Sequence, residues 1–215
     1  MMINPLPQQP SRLKRILVVI AVLVFASFAG VRSLAHGHHH DDSPPSGQGL
    51  SNTVILIVSH AEKPDDGPEL APAGVARSHA YVRYFENYTL NGQPLHFDYL
   101  YAAKDTAGSE RPRLTLEPLS QALNMPLDTD YKDKDPEDLV ADLQSKAAGK
   151  NVLICWHHGE IPDLLAALGA DPDQLIPGGK WPEDQYGWVI QLCYDKDGHL
   201  IPGESRRVVE NLVVR

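Results

Sequence analysis

Two short, continuous apolar runs, residues 53–58 and 151–156, constrain the fold of this chain most strongly. Runs of this length, rich in β-branched residues and without polar alternation, are typical of strands buried on both faces, as in a parallel sheet. Further patterns predict strands at 97–101, 188–194 and 207–214, and helices at 71–87, 111–123, 136–148 and 161–168. Alternating strands and helices favour an α/β fold of three layers, α/β/α, in which helices cover both faces of a mostly parallel sheet.

A histidine closely follows each of the two buried runs. Ser59 and His60 come after the first run, and His157 comes directly after the second. Ligands of such sheets bind outside the carboxyl ends of the strands. Arg111 and Arg113 open the helix that follows the predicted strand 97–101, which places them near the same end. Although a single histidine here is often structural, two imidazoles with guanidiniums favour a site for a phosphoryl group.

The order and spacing of these residues resemble those of the histidine phosphatase superfamily, the phosphoglycerate-mutase-like enzymes. In that superfamily a strand ends in Arg-His-Gly, a helix opens on Leu-Thr-Pro-x-Gly, an arginine stands four residues before a threonine, and a later strand ends in histidine. The corresponding segments here are Ser59-His60-Ala61, Leu70-Ala71-Pro72-Ala73-Gly74, Arg111 with Thr115, and His157. The resemblance covers residues 52–170 and implies a phosphoglycerate-mutase-like fold.

The resemblance also implies an activity. It makes the chain a phosphomonoesterase in which His60 forms a phosphohistidine, while Arg111 and His157 stabilise the phosphoryl oxygens. The substrate would be a phosphorylated small molecule or a phosphoprotein, and neither a cofactor nor a metal is expected. We expect His158 to face solvent. The residue that protonates the leaving oxygen stays open among the carboxylates Glu62, Asp128, Asp130 and Glu137.

Ser59 departs from the superfamily pattern because it stands where the arginine is expected. A hydroxyl donates one neutral hydrogen bond, and losing a preorganised donor costs about 2.7–4 kcal/mol of transition-state stabilisation. Lys63 and Arg113 are candidates to supply the missing charge, beside Arg111 and Ser59 itself, as contacts to phosphate. A second hypothesis follows, in which the chain is a phosphate-binding module with weakened turnover.

The first residues of the chain differ in character from the rest. Arg12, Lys14 and Arg15 precede the uncharged apolar run 16–31, which is typical of an export signal or a membrane anchor. The run is marginally short for a spanning helix, which needs about 20 apolar residues, so cleaved signal and anchor are both open. Either alternative places the rest of the chain outside the cytoplasm, held at the membrane if the segment is not cleaved.

A polar linker separates this segment from the predicted domain. Residues 36–51 are rich in histidine, proline, glycine and serine, a composition that cannot bury a core. The histidines at 36–40 could bind a transition metal loosely, but we favour a solvated spacer. The sequence thus predicts a signal or anchor at 1–35, a linker at 36–51 and a histidine-phosphatase-like domain at 52–215.

Charge and cysteine content narrow the remaining possibilities. The formal net charge of −9 argues against nucleic acid as a partner, because such proteins carry a basic surface. Cys155 and Cys193 both lie in apolar runs. We expect two buried thiols, with a disulfide as the alternative, because sequence cannot show how closely their Cα atoms approach.

Overall fold

The computed structural model describes residues 49–212. The predicted signal or anchor and nearly all of the linker lie outside the described residues, as does the end of the last predicted strand. Within residues 49–212, the helices are too short or too polar to cross a membrane.

The described residues form strands and helices that largely alternate. The strands are β1 Val54–Ser59, β2 Thr89–Leu90, β3 Gln93–Pro94, β4 Tyr99–Ala102, β5 Leu127–Asp128, β6 Asn151–Trp156, β7 Trp188–Cys193 and β8 Arg206–Val209. The helices are α1 Pro72–Glu86, α2 Arg111–Leu123, α3 Pro136–Lys146, α4 Ile161–Ala167 and α5 Pro172–Leu175, followed by a 3₁₀ turn at Pro177–Gly179. The ends of α1 to α4 fall within two residues of their predicted positions.

The main sheet has the strand order β5-β4-β6-β1-β7-β8. The pairs β5–β4, β4–β6 and β6–β1 are parallel, whereas β7 is antiparallel to both β1 and β8. Because four of the six strands, β5, β4, β6 and β1, are parallel, the prediction of a mostly parallel sheet is confirmed. The exposed edge strand β8 carries Arg206 and Arg207, and charges of this kind discourage pairing with another chain.

Helices cover both faces of the sheet, as the apolar runs require. Ile57 belongs to the core that includes Leu143 of α3 and Leu164 of α4. Its neighbour Leu56 points to the opposite face, where the second core includes Leu116 of α2 and residues of α1. The three-layer arrangement therefore follows from β1 and β6 being apolar on both faces.

The register of β1 against β6 positions the two predicted histidines. Ser59 lies opposite Trp156, and the backbone N–H of His60 donates to the carbonyl oxygen of Trp156 at 3.1 Å. His60 and His157 therefore leave the sheet side by side, one residue beyond this pair. On the other side of β6, the backbone of Ala103 continues the ladder, and the loop after β4 leads from the same edge into α2.

Candidate functional site

Three imidazoles lie together at the carboxyl edge of the parallel strands. The ring centroid of His60 is 5.4 Å from that of His157 and 5.6 Å from that of His158, with edge-to-face angles of 69° and 62°. His60 is only 1% exposed, whereas His157 and His158 are half-buried. We call these three residues the histidine cluster. The structure thus brings the predicted pair together and adds His158, which the sequence had placed in solvent.

The ring of His60 is held in one orientation by its own backbone. Its Nδ1 lies 2.7 Å from the carbonyl oxygen of Ala61, and this contact requires the proton to be on Nδ1. The lone pair is consequently on Nε2. The N–H of Ala61 donates to the hydroxyl of Thr115 at 2.9 Å, and that hydroxyl donates to the carbonyl oxygen of Arg111 at 2.7 Å. This chain of bonds fixes α2 against the segment that carries His60.

The electrostatic environment keeps the cluster uncharged near neutral pH. Burial, together with the charges of His157, Arg111 and His158, lowers the pKa of His60 to about 3, although the bond to Ala61 acts in the opposite direction. Burial also lowers the pKa of His157 and of His158. A neutral imidazole retains its lone pair, so His60 is ready to act as a nucleophile.

Arg111 supplies the positive charge of the site. It begins α2, and its Nη1 donates to the carbonyl oxygen of Gly67 at 3.0 Å. Its Nε is buried and has no hydrogen-bond partner among the described residues. Burial lowers the pKa of this guanidinium, whose charge acts in turn on all three imidazoles. An unpaired donor beside a cluster of histidines is suited to binding an anion.

Asp133 is the carboxylate next to the cluster, and the sequence analysis did not identify it. Its Oδ2 lies 3.9 Å from Nε2 of His157, and it raises the pKa of that imidazole against the effect of burial. The backbone of Asp133 is held in place because Trp156 Nε1 donates to its carbonyl oxygen at 3.1 Å. This contact depends on tertiary packing across a loop, so the acidic stretch at 128–138 gave no signal that would single out Asp133.

Glu62, one of the four predicted proton donors, is engaged in a partly buried ion pair. Both of its carboxylate oxygens accept from Arg77 of α1, at 2.7 to 3.1 Å. The same guanidinium also pairs with Glu210, whose side chain is almost fully buried. Gly74 lies so close that a Cβ there would stand 2.4 Å from the carbonyl oxygen of Glu62. Glu62 therefore anchors the segment after His60 to α1.

The other three predicted donors lie apart from the histidines. Asp128 and Asp130 line a groove together with Tyr101 and Lys146. Glu137 is exposed in the first turn of α3. Among the contacts of the described residues, none joins these three carboxylates to the histidine cluster.

Arg113 was predicted as a phosphate contact, but its guanidinium is already paired. It lies 2.7 Å from Asp105, 2.9 Å from Glu110 and 3.5 Å from Glu117. Three carboxylates around one guanidinium compensate its charge, and they raise its pKa. The structure thus gives Arg113 a role in holding the start of α2.

A segment before β7, residues 181–187, packs beside Ser59 and Lys63. The hydroxyl of Ser59, which is 1% exposed, donates to the carbonyl oxygen of Gln185 at 3.4 Å. Lys63 Nζ lies 3.5 Å from the carboxylate of Glu183. The ring of Tyr186 lies 6.4 Å from that of His60. Sequence patterns gave no indication that this segment reaches the site.

The site holds neither a cluster of metal ligands nor a disulfide within the described residues. Within residues 49–212, no group of three or more histidine, cysteine, aspartate or glutamate side chains is arranged to hold a metal ion. Cys155 and Cys193 are free and buried, as the main interpretation of the sequence expected.

Several solved structures are similar to this chain. A phosphoglycerate mutase from Bacillus anthracis is 12% identical, with a TM-score of 0.47 over 76% of this chain and 94% of its own. A phosphoglycerate mutase from Plasmodium falciparum is 16% identical, with a TM-score of 0.46 over 70% of this chain and 88% of its own. A phosphoserine phosphatase from Entamoeba histolytica, in complex with 3-phosphoglyceric acid, is 13% identical, with a TM-score of 0.47 over 69% of this chain and 94% of its own. No family model and no curated protein matches the chain.

Proposed function

We propose that this chain is a phosphomonoesterase of the histidine phosphatase superfamily, acting on a phosphorylated small molecule or a phosphoprotein. The observation that carries the proposal is the convergence of His60, His157 and Arg111 at one edge of the sheet, with the rings of His60 and His157 5.4 Å apart. These are the residues that the resemblance assigns to phosphoryl transfer.

His60 is the nucleophile in this proposal. Its Nε2 lone pair forms the N–P bond while the ester P–O bond breaks, and the leaving oxygen takes a proton. The Nδ1–H bond to the carbonyl oxygen of Ala61 holds the ring in the reactive tautomer and stabilises the positive charge that develops on it. Arg111 and His157 offset the charge on the phosphoryl oxygens.

The second step regenerates the enzyme. Water attacks phosphorus, the N–P bond breaks, and inorganic phosphate leaves as His60 recovers its lone pair. The water gives up one proton in this step, and the leaving oxygen took one in the first, so the cycle needs a group that releases and regains a proton. His157 with Asp133, 3.9 Å apart, is a pair suited to this task, because the carboxylate helps the imidazole to hold a proton.

Ser59 supports a second candidate function, a module that binds phosphate without efficient turnover. The hydroxyl of Ser59 is buried and bonded to Gln185, so it presents none of the charged donors of an arginine. A protein of this kind would bind vanadate saturably but release no product.

The test is hydrolysis of an aryl phosphate by the full-length chain and by His60→Ala. We expect the substitution to lower kcat/KM by at least about 10⁴-fold, because removing a nucleophile eliminates the covalent route. His79→Ala, at an exposed position of α1, is the matched control and should keep the wild-type rate. Equal rates for wild type and His60→Ala would refute the nucleophile. Saturable vanadate binding by a wild-type protein without turnover would favour the binding module.

We also propose that the domain acts outside the cytoplasm. The support is the basic residues at 12–15 followed by the apolar run 16–31, both outside the described residues. Fractionation of cells that express the full chain would locate it, and recovery in the cytoplasmic fraction would rule out export.

A further inference from the structure

His158 faces the predicted nucleophile as closely as His157 does. Its ring centroid is 5.6 Å from that of His60, compared with 5.4 Å for His157. The resemblance on which the proposed mechanism rests assigns roles to His60 and His157 but none to His158. The third is therefore a polar group at the reacting edge with no assigned task.

Charged groups from separate segments surround His158. Lys63 follows β1, Arg111 begins α2, and Glu183 belongs to the segment before β7. Burial lowers the pKa of His158 first, and then Lys63 and Arg111 lower it further, while Glu183 raises it. His60 and His157 complete the set of titratable neighbours. In the free protein these effects favour a neutral ring, and an incoming phosphoryl dianion would favour its protonation because it adds two negative charges.

The alternatives for the missing positive charge are already engaged elsewhere. Arg113 is paired with three carboxylates. Lys63 is paired with Glu183, and 41% of its side chain is exposed. Ser59 bonds to a backbone carbonyl. His158, in contrast, lies in the cluster beside His60, and within residues 49–212 its ring takes part in no hydrogen bond or ion pair.

We propose that His158 donates a hydrogen bond to a phosphoryl oxygen of the substrate, and thereby supplies part of the contact that the superfamily takes from an arginine at the position of Ser59. The inference rests on the proposed phosphatase function. If His158 makes this contact, an arginine introduced at position 59 could replace part of it. The loss of kcat/KM caused by His158→Ala should therefore be smaller when position 59 is an arginine.

The experiment measures kcat/KM for an aryl phosphate and the dissociation constant for vanadate, with the full-length chain. The variants are wild type, His158→Ala, Ser59→Arg and the double variant, with His79→Ala as the control. We expect His158→Ala to lower kcat/KM by about 10²–10³-fold, the loss typical of one preorganised donor, and to weaken vanadate binding at least about tenfold. Ser59→Arg should then raise kcat/KM by a larger factor in the His158→Ala background than in wild type.

Each outcome decides the question. Unchanged kcat/KM and vanadate affinity in His158→Ala would overturn the inference, as would an equal effect of Ser59→Arg in both backgrounds. Should Ser59→Arg fail to fold, His158→Gln replaces it, because its amide still donates and should retain part of the activity and of the vanadate affinity lost in His158→Ala. His60→Ala separates the two proposals. An inactive His60→Ala beside a fully active His158→Ala would leave the phosphatase standing and remove only the role of His158.

Discussion

The two histidine segments at the edge of the sheet differ in how firmly their side chains are held. After β1, His60 is almost completely buried, with Nδ1 bonded to the carbonyl oxygen of Ala61 and Glu62 tied to Arg77. After β6, His157 and His158 are half-buried, and His157 has a carboxylate only at 3.9 Å. His60 is therefore preorganised in one orientation, whereas the half-buried rings of His157 and His158 are freer to respond to a charge placed beside them.

The backbone does not account for this difference, because it is well anchored in both segments. The carbonyl oxygen of His157 accepts from the N–H groups of Glu160 and Ile161, at 2.9 and 3.1 Å, as the chain turns into α4. After β1 the carbonyl oxygen of Glu62 accepts from Ala71 at 2.8 Å. The two segments therefore differ in how firmly their side chains are held, and substitutions of the residues that contact these side chains should reveal the difference.

Arg77→Met should have the largest effect, since it removes the anchor of the first segment. Glu62 and the buried Glu210 would both lose their guanidinium, and breaking a buried ion pair in this way costs about 3–5 kcal/mol. Urea unfolding measures the loss. Arg83→Met, an exposed position of the same helix, should change stability by less than about 0.5 kcal/mol. Similar losses in the two variants would mean that the ion pairs do not hold the segment.

Much of this comparison could be predicted from the sequence. The apolar runs of β1 and β6 placed His60 and His157 at one edge, because parallel strands in register end together. The antiparallel direction of β7 could not be predicted, since its buried residues resemble those of a parallel strand. The short elements β2, β3, β5 and α5 span too few residues to show a period.

The contacts that distinguish the two segments were beyond sequence reasoning. Arg77 meets Glu210 and Ser59 meets Gln185 across more than a hundred residues of chain. Such pairs depend on how helices and loops pack against the sheet, and the sequence around each residue does not indicate its partner. Asp133 illustrates the same limit, since it resembles every other carboxylate in its acidic stretch.

A dependence of stability on pH should be the next largest effect. The pKa of His60 is lowered to about 3 in the folded protein, while an unfolded chain has its ordinary value near 6.5. Between these two values the unfolded state binds a proton that the folded state excludes, so stability falls as the pH drops. From pH 7 to pH 5 the loss from this one site is about 2 kcal/mol.

His60→Gln should remove this part of the acid sensitivity. Urea unfolding of the wild type and the variant at pH 7 and pH 5 gives the difference, and His79→Gln, which changes an exposed imidazole, should behave as wild type. If His60→Gln loses as much stability on acidification as the wild type, the ring of His60 is not excluded from protonation.

Asp133→Asn should have the smallest effect on stability, and its effect on titration should be confined mainly to His157. Because burial keeps His157 largely neutral, the contact with Asp133 is a weak ion pair, and its loss should cost less than about 1 kcal/mol. The carboxylate raises the pKa of His157, so without it the titration midpoint of this imidazole should move to lower pH.

Proton NMR of the histidine rings measures this midpoint. The midpoint of His158 should move less, because its pKa is lowered mainly by burial and is set further by Lys63, Glu183 and Arg111 rather than by Asp133. An unchanged midpoint for His157 would contradict the prediction, because it would mean that the carboxylate of Asp133 does not raise the pKa of this imidazole.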